Sequence, residues 1–146
     1  MGNVYEMIRT FKRRFRGTIC WRIKAHSKVI QKHLNPDEYV VYAFAAQKGY
    51  STFEIFNTYA VAVTNKRIVL AQKRVLFGYL FLSVTPDLFN DLTVNTGLVW
   101  SKVIIDTVKE VMTLSNISKK AAEEIETSIT EMMIREKKKY VKLEKK

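Results

Sequence analysis

The 146-residue sequence has few of the residue types on which metal sites and catalytic centres depend. It contains one cysteine, Cys20, so no disulfide can form within the chain. Its two histidines, His26 and His33, lie seven positions apart, and no further Cys or His is present to complete the three or four ligands of a zinc site. No glycine-rich phosphate loop occurs among its five glycines. We therefore expect no metal, no cofactor and no catalytic residues.

Long apolar runs are also absent. The longest are Tyr39–Ala46 and Val75–Leu82, far short of the roughly 20 residues that a membrane-spanning helix requires. The N-terminal end is charged and lacks the apolar segment of a secretion signal. We expect a cytoplasmic protein, or one that is held at a membrane only by its surface.

The positive charge, formally +11, is concentrated at the two ends of the chain. Residues 1–34 carry nine Lys and Arg against one acid, residues 35–134 carry nine against eleven, and residues 135–146 carry seven against two. This distribution divides the chain into a basic helical segment (1–34), one folded domain (35–134) and a basic tail (135–146). The tail is too polar to bury much apolar surface, so we expect it to fray beyond Arg135.

The N-terminal segment has the spacing of an amphipathic helix. Apolar residues recur every three to four positions, as on one helix face: Val4, Ile8, Phe11, Phe15, Ile19, Ile23, Ile30 and Leu34. Gly17 and Thr18 interrupt the pattern, so two helices, over about 4–16 and 19–34, are as consistent as one. The stripe can pack on the rest of the chain or on a second copy, whereas a basic helix with Phe and Trp can lie on an anionic membrane.

Short β-rich segments fill the middle of the chain. Two of them flank Asn65-Lys66-Arg67, and asparagine tolerates the left-handed backbone of a tight hairpin turn. Alternation and turn residues predict seven strands: Glu38–Ala46, Phe53–Thr64, Ile68–Gln72, Val75–Val84 with a break at Gly78, Leu88–Val94, Trp100–Thr107 and Glu110–Leu114. A final amphipathic helix is predicted from Ser118, as its N-cap, to about Lys139.

Three local motifs carry a resemblance to a known family. Leu34-Asn35-Pro36-Asp37-Glu38 before the first strand, the Val63–Ile68 hairpin and Ile117-Ser118-Lys119 before the last helix resemble the bacterial pleckstrin-homology-like domain family, sometimes called YokE-like. The resemblance covers about residues 34–134. It implies an α+β, mainly β fold: a pleckstrin-homology-like barrel of about seven antiparallel strands, capped by the C-terminal α-helix and here preceded by an N-terminal helical segment.

The resemblance also implies a class of function. Pleckstrin-homology-like domains are non-catalytic modules that bind lipid headgroups, peptides or other proteins. In lipid-binding relatives the phosphate contacts are basic residues of the first strands and their loop. The corresponding loop in this chain, Gln47–Thr52, offers only Lys48.

The basic ends supply the functional hypothesis. A polybasic cluster gains on the order of 1 kcal/mol per Lys or Arg near an anionic leaflet. We predict that attraction comes from Lys12, Arg13, Arg14 and Arg16, beside the aromatic Phe11, Phe15 and Trp21, with the two phenylalanines inserting shallowly. Lys66 and Arg67 on the hairpin turn either are solvated or contact a phosphate or a partner carboxylate.

The sequence therefore predicts a binding module that is recruited to an anionic membrane surface or docks a protein partner. A second hypothesis is a self-associating structural module that dimerises through its N-terminal helix. A third is nonspecific nucleic-acid binding through the basic ends, which no recognised nucleic-acid-binding motif supports.

Overall fold

A computed structural model describes residues 3–18, 20–48 and 58–144, except for the side chains of residues 48 and 140–144. Its helices are α1 (Val4–Arg14), α2 (Ile23–His33) and α3 (Ala122–Glu144). Its strands are β1 (Val40–Lys48), β2 (Thr58–Thr64), β3 (Ile68–Lys73), β4 (Tyr79–Val84), β5 (Phe89–Thr96), β6 (Trp100–Thr107) and β7 (Val111–Ser118). The predicted α+β, mainly β fold with seven antiparallel strands and a C-terminal helix is confirmed.

The strands form one antiparallel sheet in the order β4-β3-β2-β1-β7-β6-β5. Its two halves meet where the end of β1 pairs with β7, through Gln47 with Ser115 and Lys48 with Leu114. The sheet curls into a half-barrel, and α3 covers its concave side. The predicted start of the second strand at Phe53, and the loop beyond Lys48, lie outside the described residues.

The larger core lies inside this curled sheet. Its members come from both halves of the sheet and from α3, and all are almost completely buried: Phe44, Val61, Val63, Leu70, Ile105, Leu114, Ile125, Ile129 and Met132. Successive side chains of a strand point to opposite faces. The residues between these core positions therefore form a second, outer face on β1–β3.

The outer face of β1–β3 is lined mainly by small side chains, namely Ala43, Ala45, Ala60, Ala62 and Ala71. Because an alanine side chain extends only one carbon from the backbone, α1 and α2 pack closely on this face. They do so through Val4, Ile8, Val29 and Ile30, which are at most 6% exposed. The described residues of the apolar stripe are thus buried or half-buried within the chain, and dimerisation through them would require both helices to undock.

Two of the sequence motifs bind each other through a buried ion pair. The Glu38 carboxylate accepts hydrogen bonds from Arg67 Nε at 2.9 Å and Nη2 at 3.0 Å, and from the Thr64 hydroxyl at 2.7 Å. Arg67 also donates to the backbone oxygen of His33 and to Ser83 Oγ, each at 3.1 Å. This network joins the end of α2, the entry to β1, the β2–β3 hairpin and β4.

The same hydrogen bonds keep the Glu38 carboxyl ionised. Burial by itself raises the pKa of Glu38, but hydrogen bonds from Arg67, Thr64 and the Asn35 N–H outweigh it, and the pKa lies below its ordinary value. Beside this pair, Asn65 Oδ1 accepts from the Tyr39 N–H at 2.9 Å. Lys66 forms an exposed ion pair with Asp37.

A buried histidine joins α2 to β3. His26 is 3% exposed, and its Nδ1 accepts a hydrogen bond from the Lys73 N–H at 2.8 Å. Burial and the charge of Arg22 lower the pKa of His26 to about 4, although a backbone hydrogen bond at Trp21 opposes the change. His26 is therefore neutral in the folded protein at pH 7.

The last helix differs from its prediction at both ends. Ser118 is the final residue of β7, where its N–H donates to Thr18 Oγ1 at 3.0 Å, so it does not cap α3. The helix continues to Glu144 instead of fraying beyond Arg135. Lys137 lies over the Phe89 ring at 5.5 Å, and Glu136 accepts from Lys139 Nζ at 3.1 Å. The first of these contacts joins this part of the helix to β5.

We expect Arg67→Met to lower the free energy of unfolding by about 3–5 kcal/mol, because the substitution leaves the buried Glu38 carboxylate without its charged partner. Lys66→Met is the matched control, since its ion pair with Asp37 is exposed and should change stability little. Chemical denaturation at pH 7 measures both variants. If the free energy of unfolding falls no more in the Arg67 variant than in the Lys66 variant, the structural role of the Glu38–Arg67 pair is contradicted.

The neutral state of His26 predicts a pH dependence of stability. The pKa of His26 is about 4 in the folded protein and 6.5 ordinarily, so the unfolded chain takes up a proton that the folded chain does not. The stabilisation is complete above about pH 6.5 and declines by up to about 3 kcal/mol as the pH falls towards 4.

His26→Gln removes this titration while retaining a hydrogen-bond acceptor. We expect the natural protein to lose stability relative to this variant as the pH falls from about 6.5 to about 4, because only the natural protein carries the titrating histidine. The quantity compared is the free energy of unfolding of each protein at each pH. Urea unfolding at several pH values measures it. A difference that stays constant with pH would refute the role assigned to His26.

Candidate functional site

The predicted binding residues on α1 do not form one exposed cluster. Phe11 is 3% exposed, and its ring centroid lies 5.8 Å from that of Phe44 in the core. Phe15 is half-buried against the same core. Arg14 forms two hydrogen bonds, of 2.8 and 2.9 Å, with the Glu124 carboxylate on α3. While α1 is docked, Phe11 is not available for insertion into a membrane.

The remaining predicted residues fall into three groups. Lys12, Arg13 and Arg16 are exposed and form no salt bridge within the described part of the chain. Lys66 and Arg67 form ion pairs within the chain, Lys66 with Asp37 at the surface and Arg67 with the buried Glu38. Trp21 is 39% exposed and lies in a different region, beside the β3–β4 loop.

The β3–β4 loop is the exposed apolar feature that the sequence prediction missed. The strand predicted from Val75 begins only at Tyr79, because Gly78 has a left-handed backbone with φ of 74°. The Arg74 N–H donates to the Gly78 oxygen at 3.0 Å and closes the loop. Its tip projects three consecutive apolar side chains, which are 66%, 82% and 85% exposed: Val75, Leu76 and Phe77.

Cations and an aromatic ring surround the base of this loop. Trp21, Arg22, Lys73 and Arg74 line a hollow of about 510 Å³ that also reaches the loop tip. The Arg22 guanidinium lies 5.8 Å from the Trp21 ring, and its Nη1 donates to the Lys73 backbone oxygen at 3.1 Å. The start of α2 is therefore fixed beside the loop.

A second hollow, of about 620 Å³, runs from there along α2. Its cationic lining residues are Arg22, Lys24, Lys28, Lys32 and Lys73. Arg22 and Lys73 line both hollows, so the two are neighbours on the surface. Among the residues that the structure describes, no acidic side chain lines either hollow, and none forms a salt bridge with the lysines of the second hollow.

Together these residues form one surface, which we call the basic–apolar face: Trp21, Arg22, Lys24, Lys28, Lys32, Lys73, Arg74, Val75, Leu76 and Phe77. Of the predicted site residues it contains Trp21 alone. The four-residue spacing of Lys24, Lys28 and Lys32 could have indicated a row of charges along one helix. The apolar residues of the loop had no such signal, because their sequence also suits a strand.

The side chains of this face can attract anions and can contact apolar groups. Among the described residues, no three His, Cys, Asp or Glu side chains converge as ligands for a metal ion. None of the helices, over their described residues, combines the length and apolarity needed to span a membrane.

Comparison with known proteins fits the observed fold. No curated protein matches the chain. The family model described as "Bacterial PH domain" matches residues 34–131, which include all seven strands and the start of α3 and leave out α1 and α2. PH domains are generally binding modules without catalytic activity. The strand order, the terminal helix and a match over more than half of its length show that this chain belongs to the bacterial PH domain family.

Proposed function

We propose that this protein associates with an anionic membrane surface through its basic–apolar face. The observation that carries the proposal is the position of Val75, Leu76 and Phe77, exposed at the tip of a loop whose base is surrounded by cations. Single exposed apolar residues are common on protein surfaces. Three in succession, bordered by charge of one sign, are typical of an interaction site.

Two physical effects favour a bilayer as the partner. Transfer of apolar side chains out of water contributes about 25 cal/mol per Å² of buried surface. Each cation close to an anionic leaflet contributes on the order of 1 kcal/mol. The loop supplies the first effect, and the row on α2 with Lys73 and Arg74 supplies the second.

The fold holds these two contributions in one place. Lys73 accepts from Arg22 through its backbone oxygen and donates to His26 through its N–H. Both bonds fix α2 beside the base of the loop. Insertion of the loop therefore brings the cations of α2 towards the headgroups without a change in the fold.

The exposed cations of α1 fit the same proposal in a weaker role. Lys12, Arg13 and Arg16 lack an adjacent exposed apolar group, since Phe11 is in the core. We propose that they add attraction over distances up to about a Debye length, about 10 Å at 0.1 M salt. They would raise the rate of encounter without anchoring the protein.

The loop gives the first test. We expect the double variant Leu76→Ser, Phe77→Ser to bind vesicles containing anionic phospholipid at least about tenfold more weakly than the natural protein, since it loses two insertable side chains. Co-sedimentation at low ionic strength measures the bound fraction. Both positions are exposed, so the variant should remain folded.

Leu98→Ser, Val99→Ser is the matched control, because these side chains on the β5–β6 loop are also exposed, at 98% and 60%. We expect this control to bind like the natural protein. Equal retention of the natural protein on neutral vesicles would refute the proposal. So would an equal loss of binding in both loop variants. Absence of vesicle binding at low salt would favour a protein partner instead.

A further inference from the structure

The groove along α2 has a length that is informative about its ligand. Lys24, Lys28 and Lys32 are four residues apart on one helix, so successive positions are about 6 Å apart and the whole row is about 12 Å long. All three side chains are exposed. A ligand with two phosphate groups can contact more of such a row than a single phosphate group can.

Two further cations lie beside the row of lysines. Lys73, at the end of β3, and Arg22, before α2, line the groove at the end nearest the loop. Five cations therefore line one hollow, and among the described residues no carboxylate lines it. A ligand that carries two phosphate groups has the opposite charge to this arrangement and can contact several of the cations at once.

The rest of the lining on α2 is apolar and can contact the carbon atoms of a short linker between two phosphates. Ala25 and Val29 lie between the lysines on α2 and also line the groove. His33 Nδ1 donates to the Val29 oxygen at 2.7 Å, and its Nε2 lies 3.0 Å from the Tyr79 hydroxyl. These two side chains thus bond to each other, which leaves the lysines as the groups available to a ligand.

We infer that this groove binds the headgroup of a phospholipid that carries two phosphate groups, with the β3–β4 loop inserted in the adjacent leaflet. The inference rests on the proposed membrane association. A lipid is favoured over a soluble diphosphate because the exposed loop beside the groove needs an apolar phase to cover it. The cations come from α2, from Arg22 just before it and from the end of β3, so most of the site lies outside the residues that the family model matches.

The test compares two kinds of vesicle with the same total negative charge. One contains diphosphatidylglycerol, and the other contains phosphatidylglycerol at twice the mole fraction. Attraction by charge density alone gives equal binding to both. Since the groove positions charge-assisted hydrogen bonds for two linked phosphates, we expect the full-length protein to bind the diphosphatidylglycerol vesicles about tenfold more tightly.

Paired charge variants locate the preference. Lys28→Gln removes the central cation of the row, and Arg13→Gln removes an exposed cation on α1 outside the groove. Because Lys28 also belongs to the basic–apolar face, Lys28→Gln should weaken binding to phosphatidylglycerol vesicles more than Arg13→Gln does, so the quantity compared is the ratio of the affinities for the two kinds of vesicle. We expect Lys28→Gln alone to lose the preference for the two-phosphate lipid.

The outcomes separate this inference from the proposed function. Two outcomes would overturn the groove as a two-phosphate site and leave membrane association intact. One is equal binding of the natural protein to the charge-matched vesicles. The other is the same change in the ratio of the two affinities in both variants. Binding to neither vesicle overturns the proposed function itself. Calorimetric titration with inorganic pyrophosphate provides the last arm: binding as tight as to the vesicles, with the same sensitivity to Lys28→Gln, would assign the groove to a soluble diphosphate.

Discussion

The close packing of α2 on the outer face of β1–β3 is the constraint on which the rest of the structure depends. Ala60, Ala62 and Ala71 leave room for the helix, and Val29 and Ile30 fill it. The hydrogen bond from the Lys73 N–H to His26 Nδ1 fixes the position of α2 relative to the end of β3. With larger side chains on that face of the sheet, neither α2 nor the groove beside it could occupy its present place.

This packing explains why the charge of the N-terminal segment lies where it does. One side of each helix is buried against the sheet, so the lysines and arginines of the other sides must face solvent. The Glu38–Arg67 pair then holds the end of α2 to the β2–β3 hairpin and to β4. A segment that is merely basic in sequence thereby becomes a surface of defined shape.

The family match and the candidate site divide the chain differently. The matched residues, 34–131, include the β3–β4 loop but neither N-terminal helix. The basic–apolar face combines that loop with cations from α2. The family match therefore accounts for the scaffold, whereas the basic–apolar face also depends on α2, which lies outside the matched residues and packs on the sheet.

The sequence by itself determined the order and type of nearly all elements, because helix and strand periodicities and the Asn65 turn are local. It did not place Arg67 in a buried pair, since Glu38 lies 29 residues away. Nor did it distinguish the exposed Leu76 from a strand residue or the buried Phe11 from a membrane anchor. Burial and charge pairing arise between segments that are distant in the chain, and only the tertiary structure decides which of them meet.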